Sequence, residues 1–326
     1  MGHQTIYKDI GVGDESTWGA SIASNATRLH VKTVTLNKTV EKEIVDDTTT
    51  SIKGRERSVR LKNTVTGDIT GYATPRTMHY MLELAMGQAA STSALGNSAN
   101  IQTYNQNTSG TMASKSINVD RNNSQETFNG VRASAIDISF SDNKVEFTLN
   151  AEAKTQSNVG TSMQDLIGET IKSATFADTV VTIHQGSTYG SQITTLNVES
   201  GNVKYGNGLE SQFLSGSRDA SRSDPKIPTV TGKFKIFHEG TSFVALQHGC
   251  SEAYIRFDIT YPSCAGLIAG ETPYTMRVDV PRVDLISNVR DYNAGEYSME
   301  EVEFHGKLNT GTSSLIDIIQ TVGKTL

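Results

Sequence analysis

The stretch Thr64–Gly87 reads TVTGDITGYATPRTMHYMLELAMG, and its pattern decides the fold prediction. Alternating β-formers at its start predict a strand, and the residues from Met78 to Met86 are apolar at helical spacing until Gly87 ends the helix. A degraded copy, TVTGKFKIFHEGTSFVALQHG, occupies Thr229–Gly249. It repeats the opening tetrapeptide, the strand, the polar turn, the apolar run and the final glycine. An internal repeat of this kind predicts a duplicated folding unit.

The repeat extends to both sides of this stretch. Thr194–Val198 (TTLNV) parallels Thr27–Val31 (TRLHV), and each copy closes with two strands that alternate apolar and polar residues. In this alignment Val283–Leu285 corresponds to Ile136–Ile138. The pattern predicts a mainly β chain with a helix in each copy. The predicted organisation is an N-terminal arm (1–26), a first domain (27–156), a connector (157–193), a second domain (194–310) and a C-terminal helical arm (311–326).

Composition limits the function classes. The chain has 326 residues and a net charge of −6, which suits two domains of ordinary size. An acidic chain is a poor candidate for a protein that holds DNA through its phosphates, but it could lie beside DNA without binding it. We expect Cys250 and Cys264 to be free buried thiols. No signal segment and no apolar run of about 20 residues is visible, so the expectation is a soluble protein made in a cytoplasm.

The N-terminal arm contains GVGDESTWGA, from Gly11 to Ala20, and the only tryptophan, Trp18. The glycines predict irregular backbone, and Trp18 is the predicted anchor of the arm on a neighbouring surface. A phosphate-binding loop is not supported, because no strand precedes the glycines and no Gly-Lys-Ser/Thr follows them.

Two polar segments, Asp46–Asn63 and Ser215–Lys226, occupy equivalent places in the two copies and are predicted to be loops. They can be solvated tips or contacts with an acidic patch of another subunit. The candidate contact residues are Lys53, Arg55, Arg57, Arg60, Arg218 and Arg222.

The other segments have weaker patterns. Residues 88–116 are polar and predict a long loop. Residues 161–173 in the connector predict a short helix, and residues 178–185 (DTVVTIHQ) predict a strand. Residues 311–326 are apolar on one helical face and predict a helix.

No catalytic motif is visible. The histidines have no metal-ligand spacing except His248 with Cys250, which favours ordinary core packing. Nucleophile-elbow, kinase and P-loop signatures are lacking, and the carboxylates form no recognisable acid–base pair. We therefore expect a protein that is not an enzyme and that has no cofactor or metal.

The order of these motifs resembles the tail tube proteins of long-tailed bacteriophages, and especially the larger ones in which two tube domains are fused. The resemblance rests on GVGDESTWGA, the long strand after it, the charged segment KGRERSVR, the strand TVTGDITG and the helix that ends in Leu84–Gly87. It is best over residues 10–90, and the 88–116 and 157–193 segments depart from it.

The resemblance implies two tandem domains, each a small β-sandwich or open barrel with a flanking helix. Three such chains would form a ring with pseudo-sixfold symmetry, with a hexameric ring as the alternative, and stacked rings would form a tube in the virion tail, assembled in the host cytoplasm. The partners would be the chain itself, the tape measure protein, the tail terminator and baseplate proteins, and passing DNA that is not specifically bound, but no membrane. Acidic residues would line the channel and repel DNA. The candidates are Asp137, Glu146, Glu152, Asp284, Glu301 and Glu303, each of which could instead lie on an outer surface.

Three alternatives remain at this point. The first is a distal ring or baseplate component with the same fold. The second is a β-sandwich adhesin or carbohydrate-binding protein, which one tryptophan and no secretion signal disfavour. The third is an enzyme, which would need a pocket with convergent carboxylates.

Overall fold

The computed structural model describes residues 9–20, 27–47, 54–95, 99–108, 110, 112–120, 125–141, 144–158, 173–186, 193–237, 252–262, 273–291, 299–309, 311 and 314–323. The first half of the chain forms β1 (Asp9–Asp14), β2 (Thr27–Leu29), β3 (Thr33–Val34), β4 (Asn37–Asp47), β5 (Gly54–Tyr72), α1 (Pro75–Met86), β6 (Ser91–Leu95), β7 (Ala99–Tyr104), β8 (Lys115–Asp120), β9 (Gln125–Phe140), β10 (Glu146–Ala153) and β11 (Thr155–Ser157). The second half forms a short 3-10 turn (Phe176–Asp178), β12 (Thr179–Gln185), β13 (Ile193–Leu196), β14 (Val198–Gly206), β15 (Glu210–Gln212), β16 (Arg222–Asp224), β17 (Thr229–Phe237), β18 (Ala253–Thr260), β19 (Thr275–Asp291), β20 (Met299–Gly306) and β21 (Asp317–Gly323). The fold is mainly β, as the sequence predicts.

Helix α1 follows the local signals of the sequence. Pro75 occupies its first turn, where a missing N–H costs nothing, and Gly87 ends it in the left-handed region at φ 72°. The Gly87 N–H donates to the carbonyl of Glu83 at 2.9 Å. Met78 and Met81 are fully buried, so the methionine stripe packs in the core. The predicted helix that ends at Gly87 is therefore confirmed.

Eight strands form one continuous antiparallel surface, which we call the long sheet. Its order is β4-β5-β10-β9-β14-β17-β20-β19. The first four strands come from the first half of the chain and the last four from the second half. The pairing of β9 with β14 joins them, with Asp137 opposite Lys204. The sheet therefore crosses from one copy of the repeat to the other without a break.

Other strands bend away from the long sheet and enclose the core. In the first half, the N-terminal part of β9 pairs with β8 and β11, β8 pairs with β1, and β1 pairs with β2. In the second half, β19 pairs with β18 and β21, β18 pairs with β12, and β12 pairs with β13. The two halves thus use their strands in the same order. Side chains of α1, β1 and β8 join the buried face of the long sheet in one apolar core.

Close packing explains why both copies of the repeated tetrapeptide end in glycine. Gly67 on β5 lies where the backbone of the adjacent strand passes close, so an added Cβ would lie 2.6 Å from the Thr35 carbonyl. At Gly232 on β17, an added Cβ would overlap the Asn202 carbonyl and the Phe304 ring. Both positions therefore need a residue without a Cβ.

Two of the predicted loops contain strands. Within residues 88–116 the structure has the hairpin β6–β7 and the start of β8, and β7 pairs with the distant strand β21. Within Asp46–Asn63, β5 already begins at Gly54 and pairs with β4. This two-stranded ribbon projects beyond the long sheet, and because both faces of such a ribbon are solvated, no apolar alternation marks it in the sequence.

The predicted C-terminal helix is wrong, because β21 is a strand. Ile316, Ile318, Gln320 and Val322 are buried in alternation with less buried residues. Gln320 breaks the apolar pattern in the sequence, but its amide donates to the Pro75 carbonyl at 3.2 Å inside the core. The helix prediction rested on the spacing of the apolar residues alone. With Gln320 counted among the buried residues, the spacing is that of a strand.

Some of the remaining element predictions are confirmed, and others concern residues that the structure does not describe. The strand predicted at residues 178–185 is β12, and the two strands that close each copy are β9, β10, β19 and β20. The predicted short helix at 161–173 and the predicted second helix before Gly249 lie outside the described residues. The proposed alignment of Val283–Leu285 with Ile136–Ile138 is wrong. In the register Asp284 and Leu285 lie opposite β20 at the places where Arg132 and Ala133 lie opposite β10.

Candidate assembly surfaces

All six acidic candidates lie on the same face of the long sheet, which we call the polar face. Along β10, Glu146 and Glu152 alternate with fully or nearly buried residues such as Phe147. Cross-strand neighbours share a face, and the register links these residues across the sheet. The linking pairs are Glu146↔Ser139, Thr148↔Asp137, Asp137↔Lys204, Lys204↔Thr231, Thr231↔His305, His305↔Asp284, Lys233↔Glu303 and Lys235↔Glu301.

Basic side chains on the polar face neutralise part of its charge. Lys233 Nζ lies 3.4 Å from Glu301 Oε1, and Lys307 forms an ion pair with Asp284. Lys32 Nζ lies 3.2 Å from Glu146 Oε1. With Asp68 the described part of the face has seven carboxylates (Asp68, Asp137, Glu146, Glu152, Asp284, Glu301 and Glu303). It has six basic residues, of which Lys32 and Lys307 reach it from beside the sheet (Lys32, Arg132, Lys204, Lys233, Lys235 and Lys307). The carboxylates therefore outnumber the basic residues of the face by one.

Two of these carboxylates are half-buried, and this changes their acidity. Burial raises the pKa of Asp137, although hydrogen bonds from Asn202 and the nearby charge of Lys204 oppose the rise. Burial also raises the pKa of Glu152, against the hydrogen bond from Ser211 at 2.8 Å. Ser211 belongs to the segment between β14 and β17, so that segment covers one end of the polar face.

The long sheet ends at two strand edges. Within the described residues, β4 pairs with β5 alone, and the part of β19 from Ser287 to Asp291 pairs with β20 alone. Val289 on this part of β19 is 61 % exposed although it is a large apolar residue. A strand edge displays a row of backbone donors and acceptors to which another chain can pair.

The basic candidates do not form one cluster. Lys53 lies outside the described residues, and Arg55 and Arg57 lie on β5 with side chains that are not described. Arg60 is exposed on the ribbon, which also exposes Ile44, Val59 and Leu61. The ribbon is therefore a mixed basic and apolar surface.

The second basic segment contacts the ribbon of its own chain. The Asn63 N–H donates to the Arg218 carbonyl at 2.8 Å, and the Asn63 amide donates to Asp219 at 2.8 Å. Arg222 lies 2.5 Å from Asp224 in an ion pair within β16. The Asn63 contacts place Arg218 at the base of the ribbon, and Arg222 follows four residues later in the same segment.

Trp18 lies between two cations of its own chain. Its indole N–H donates to the Gly130 carbonyl at 3.0 Å. The Arg132 guanidinium lies 4.9 Å and the Lys154 ammonium 4.7 Å from the ring. Cations over an indole face are attracted by its π-electrons, so this arrangement fixes the arm on β9 and β10.

A buried polar network lies beside α1, and no sequence pattern indicates it. Tyr104 Oη lies 2.8 Å from His79 Nδ1, and it donates within the same network to Gln102 or Gln320, whose Oε1 atoms lie at 2.7 and 2.8 Å. Lys115 Nζ lies 2.8 Å from Glu83 Oε2. These residues come from α1, β7, β8 and β21, so only the tertiary fold brings them together.

The described residues offer no place for a metal ion, since no three histidines, cysteines or carboxylates converge there. Among the described helices none is long and apolar enough to cross a membrane. A cleft of about 480 Å³ beside α1 is lined by Met86, Met112, Tyr205 and residues 225–228, and its lining contains no pair of carboxylates.

A comparison with family models gives a match to the phage tail tube proteins over residues 8–305. A comparison with curated protein sequences found no match. The matched range covers both copies of the repeat and every strand of the long sheet. The family consists of structural components of the phage tail. The chain belongs to the phage tail tube protein family.

Proposed function

We propose that this protein polymerises into stacked rings that form the tail tube, the channel through which phage DNA passes into the host. The observation that carries the proposal is the long sheet. It spans both copies of the repeat, has a strand edge at each end, and presents one polar, acidic face. Joining copies edge to edge would close such a sheet into a ring and leave no strand edge exposed.

Three chains would close the ring. The repeated strand order suggests two equivalent tube domains in each chain, so that three chains give six domains in a ring. Each chain would contribute eight strands, which gives a barrel of about 24 strands spaced about 4.8 Å apart. Without strand tilt its circumference is about 115 Å, and tilt widens it. Such a barrel is wide enough to admit duplex DNA.

The polar face would line the channel. The opposite face of the long sheet is buried under α1 and the other strands, so it cannot be the one that meets DNA. Duplex DNA carries one negative charge per about 1.7 Å, and an acidic lining would repel it. The carboxylates Asp137, Glu146, Glu152, Asp284, Glu301 and Glu303 would thus keep the DNA from adhering to the wall.

The ribbon formed by β4 and β5 would contact the next ring. It projects beyond the long sheet and exposes Ile44, Val59 and Leu61 beside Arg60. Exposed apolar residues grouped on a projecting element favour a protein contact. Arg218 at its base and Arg222 would belong to the same contact, as would Lys53, Arg55 and Arg57.

The two domains would begin earlier than the sequence suggested. β1, in the predicted arm, pairs with β8, and β12, in the predicted connector, pairs with β18. We therefore include β1 in the first domain and β12 in the second. The tube would be assembled in the host cytoplasm, with the tape measure protein inside and terminator and baseplate proteins at its ends.

Negative-stain electron microscopy of the concentrated protein tests the proposal. Hollow tubes whose end-on averages show three chains in each ring would support both the tube and the tandem domains. Six chains in each ring would keep the tube and contradict the tandem arrangement. Single rings that never stack would favour a distal ring or baseplate component, and monomers at every concentration and salt would contradict the proposal.

A further inference from the structure

We infer that neighbouring chains join by pairing β19 of one copy with β4 of the next, in the register that β9 and β14 use inside each chain. The inference rests on the proposed ring and adds the two strands and the residue pairs that form its contact. The partner is a second copy of this chain. The internal joint between β9 and β14 provides the template.

The template depends on an alignment of the two halves, which the strand register supplies. Thr66 of the repeated tetrapeptide lies opposite Asn37, and its counterpart Thr231 lies opposite Lys204. Asn37 on β4 therefore corresponds to Lys204 on β14. β4 and β14 are each the first long-sheet strand of their own half. Among the described residues β14 pairs with a second strand, β9, on its other side, whereas β4 pairs with β5 alone.

The other side of the joint aligns in the same way. Asp137 lies opposite Thr148, which lies opposite Thr70. Val289 lies opposite Glu301, which lies opposite Lys235. Thr70 and Lys235 hold the same place after the repeated tetrapeptide, so Val289 on β19 corresponds to Asp137 on β9.

Register irregularities support this alignment independently. The pairing of β10 with β9 shifts so that Ser134 is an extra residue, and the pairing of β20 with β19 shifts so that Ile286 is the extra residue. Counted from Asp137 and Val289, these two bulges fall at the same place. Bulges fix strand register, so the two strands present their outer edges in the same way.

The internal joint then gives the pairs between chains. Because Asp137 faces Lys204 inside the chain, Val289 of one copy should face Asn37 of the next. Continuing in the antiparallel direction, Ser287 should face Thr39, and Asp291 should face Thr35. The exposed apolar side chain of Val289 would then gain a neighbour at the joint.

The outer edge of β4 has a backbone N–H that already donates to an acceptor on the side away from β5. The Lys38 N–H points away from β5 and donates to Gln156 Oε1 at 2.8 Å. Lys38 corresponds to Tyr205, which lies opposite Ile136 in the joint. The Gln156 side chain thus holds the place that the backbone of a neighbouring copy would take, and it has to move aside when the ring closes.

Cysteine cross-linking tests the register. In the background Cys250→Ser and Cys264→Ser, the variant Asn37→Cys with Val289→Cys places two thiols at a pair without mutual backbone hydrogen bonds. Cα atoms of such pairs are about 4.5 Å apart, within the range of a disulfide. The matched control is Asp137→Cys with Lys204→Cys, the equivalent pair inside one chain. A second test pair is Thr39→Cys with Ser287→Cys.

Oxidation of the assembled protein should convert the test variants into a covalent ladder that ends at three chains, whereas the control should stay one chain with an internal disulfide. Mass spectrometry should identify the Asn37–Val289 bridge. Tubes that form normally, with an oxidised control but no bridge in either test variant, would overturn the register and leave the tube function intact. If the cysteine-free background assembles into no ring, the proposed function and the inference fail together.

Discussion

Arg256 and Asp279 face each other on β18 and β19 and form a two-point ion pair inside the protein. Arg256 Nε lies 2.5 Å from Asp279 Oδ1, and Nη2 lies 3.0 Å from Oδ2. The register places Asn118 and Thr127 at the corresponding positions of the first half, where Thr127 donates to the Asn118 side chain at 2.7 Å. Both pairs are buried. One cross-strand site thus holds an ion pair in one copy and a neutral hydrogen bond in the other.

This relationship predicts how the second half responds to mutation. Burial disfavours the charge of Arg256, but the hydrogen bonds and charge of Asp279 outweigh it and raise the pKa of the guanidinium. Arg256→Met would leave Asp279 buried without its partner and should lower the free energy of unfolding by about 3–5 kcal/mol. The double change Arg256→Asn with Asp279→Thr, which copies the first half, should recover most of that loss. Urea denaturation measures both.

An exposed ion pair provides the comparison for this experiment. Lys226 Nζ lies 2.8 Å from Glu210 Oε2 at the surface, so Lys226→Met should change stability by less than about 1 kcal/mol. Equal losses for the single and double changes at Arg256 and Asp279 would show that the ion pair is not equivalent to the neutral pair.

The glycines of the repeated tetrapeptide should tolerate no side chain. Gly67→Ala and Gly232→Ala should each lower stability by about 1–3 kcal/mol, because the added Cβ meets backbone that cannot move without distorting the sheet. Gly206→Ala is the control on the adjacent strand, where the nearest atom is the Thr229 hydroxyl at 3.3 Å. Thermal unfolding of the three variants checks the order, and a control as damaged as the other two would contradict the explanation.

Acidification should destabilise the protein through His79. Burial lowers the pKa of His79, Lys115 lowers it further, and Glu83, Gln102 and Asp14 oppose the shift. The unfolded chain therefore binds the proton more readily. The contribution of neutral His79 is complete above about pH 6.5 and is lost as the pH falls from there through the lower pKa of the folded state. When the pH falls from about 7.5 to about 5.5, the free energy of unfolding should decrease less for His79→Gln than for the unmodified protein.

Two features keep this pH experiment specific. Burial raises the pKa of Asp137, Glu152 and Asp317, so these carboxyls stabilise the folded state more as the pH falls, which is opposite to the effect of His79. The unmodified protein and His79→Gln both contain these carboxyls, so their effect cancels in the comparison. His305→Gln, at an exposed histidine outside the network of His79, is the control variant. Identical pH profiles for His79→Gln and the unmodified protein would rule out the assignment.

Charge on the polar face should control whether tubes retain DNA. Glu303→Lys changes an exposed carboxylate of this face, and the change is repeated in every chain of the tube. Tubes of this variant should bind short DNA duplexes at low salt and release them at higher salt, whereas unmodified tubes should not bind them. Co-sedimentation of labelled duplexes with tubes measures this.

The matched control is Asp120→Lys, which makes the same charge change on β8, outside the long sheet. Tubes of this variant should leave the duplexes in solution. Equal binding by the two variants would mean that net charge, and not the position on the polar face, decides the outcome.

The ribbon should be needed for stacking and not for ring closure. Val59→Asp with Leu61→Asp places charges on its exposed apolar positions, and we expect single rings in place of tubes. Ile227→Asp changes an 87 % exposed apolar residue away from the ribbon and should leave tube length unchanged. Electron microscopy gives the ratio of rings to tubes, and full-length tubes from the ribbon variant would contradict its role.

Local sequence patterns were enough to predict part of this architecture. The apolar spacing from Met78 to Met86 and the glycine after it predicted α1, because a helix depends mainly on neighbours along the chain. Alternation on β10 and β20 predicted strands, and period two placed Glu301 and Glu303 on one face. The repeated tetrapeptide predicted two similar halves.

Patterns failed where a distant segment supplies the partner. β7 and β21 pair with each other across most of the chain, and Gln320 is buried there only because Tyr104 and Pro75 satisfy its amide. Residues 58–62 of β5 are exposed, because in the described part of the chain β4 is the one strand that pairs with them. Neither environment leaves an apolar signal in the local sequence.

Periodicity and turn residues act locally, and from them the sequence predicts a mainly β chain with a strand–helix unit at Thr64–Gly87. The correspondence between residues of the two halves follows from the tertiary fold. The pairing of β9 with β10 and of β19 with β20 aligns Val289, and not Asp284, with Asp137. This correspondence is defined by the strand opposite, and the packing of the whole chain decides which strand that is.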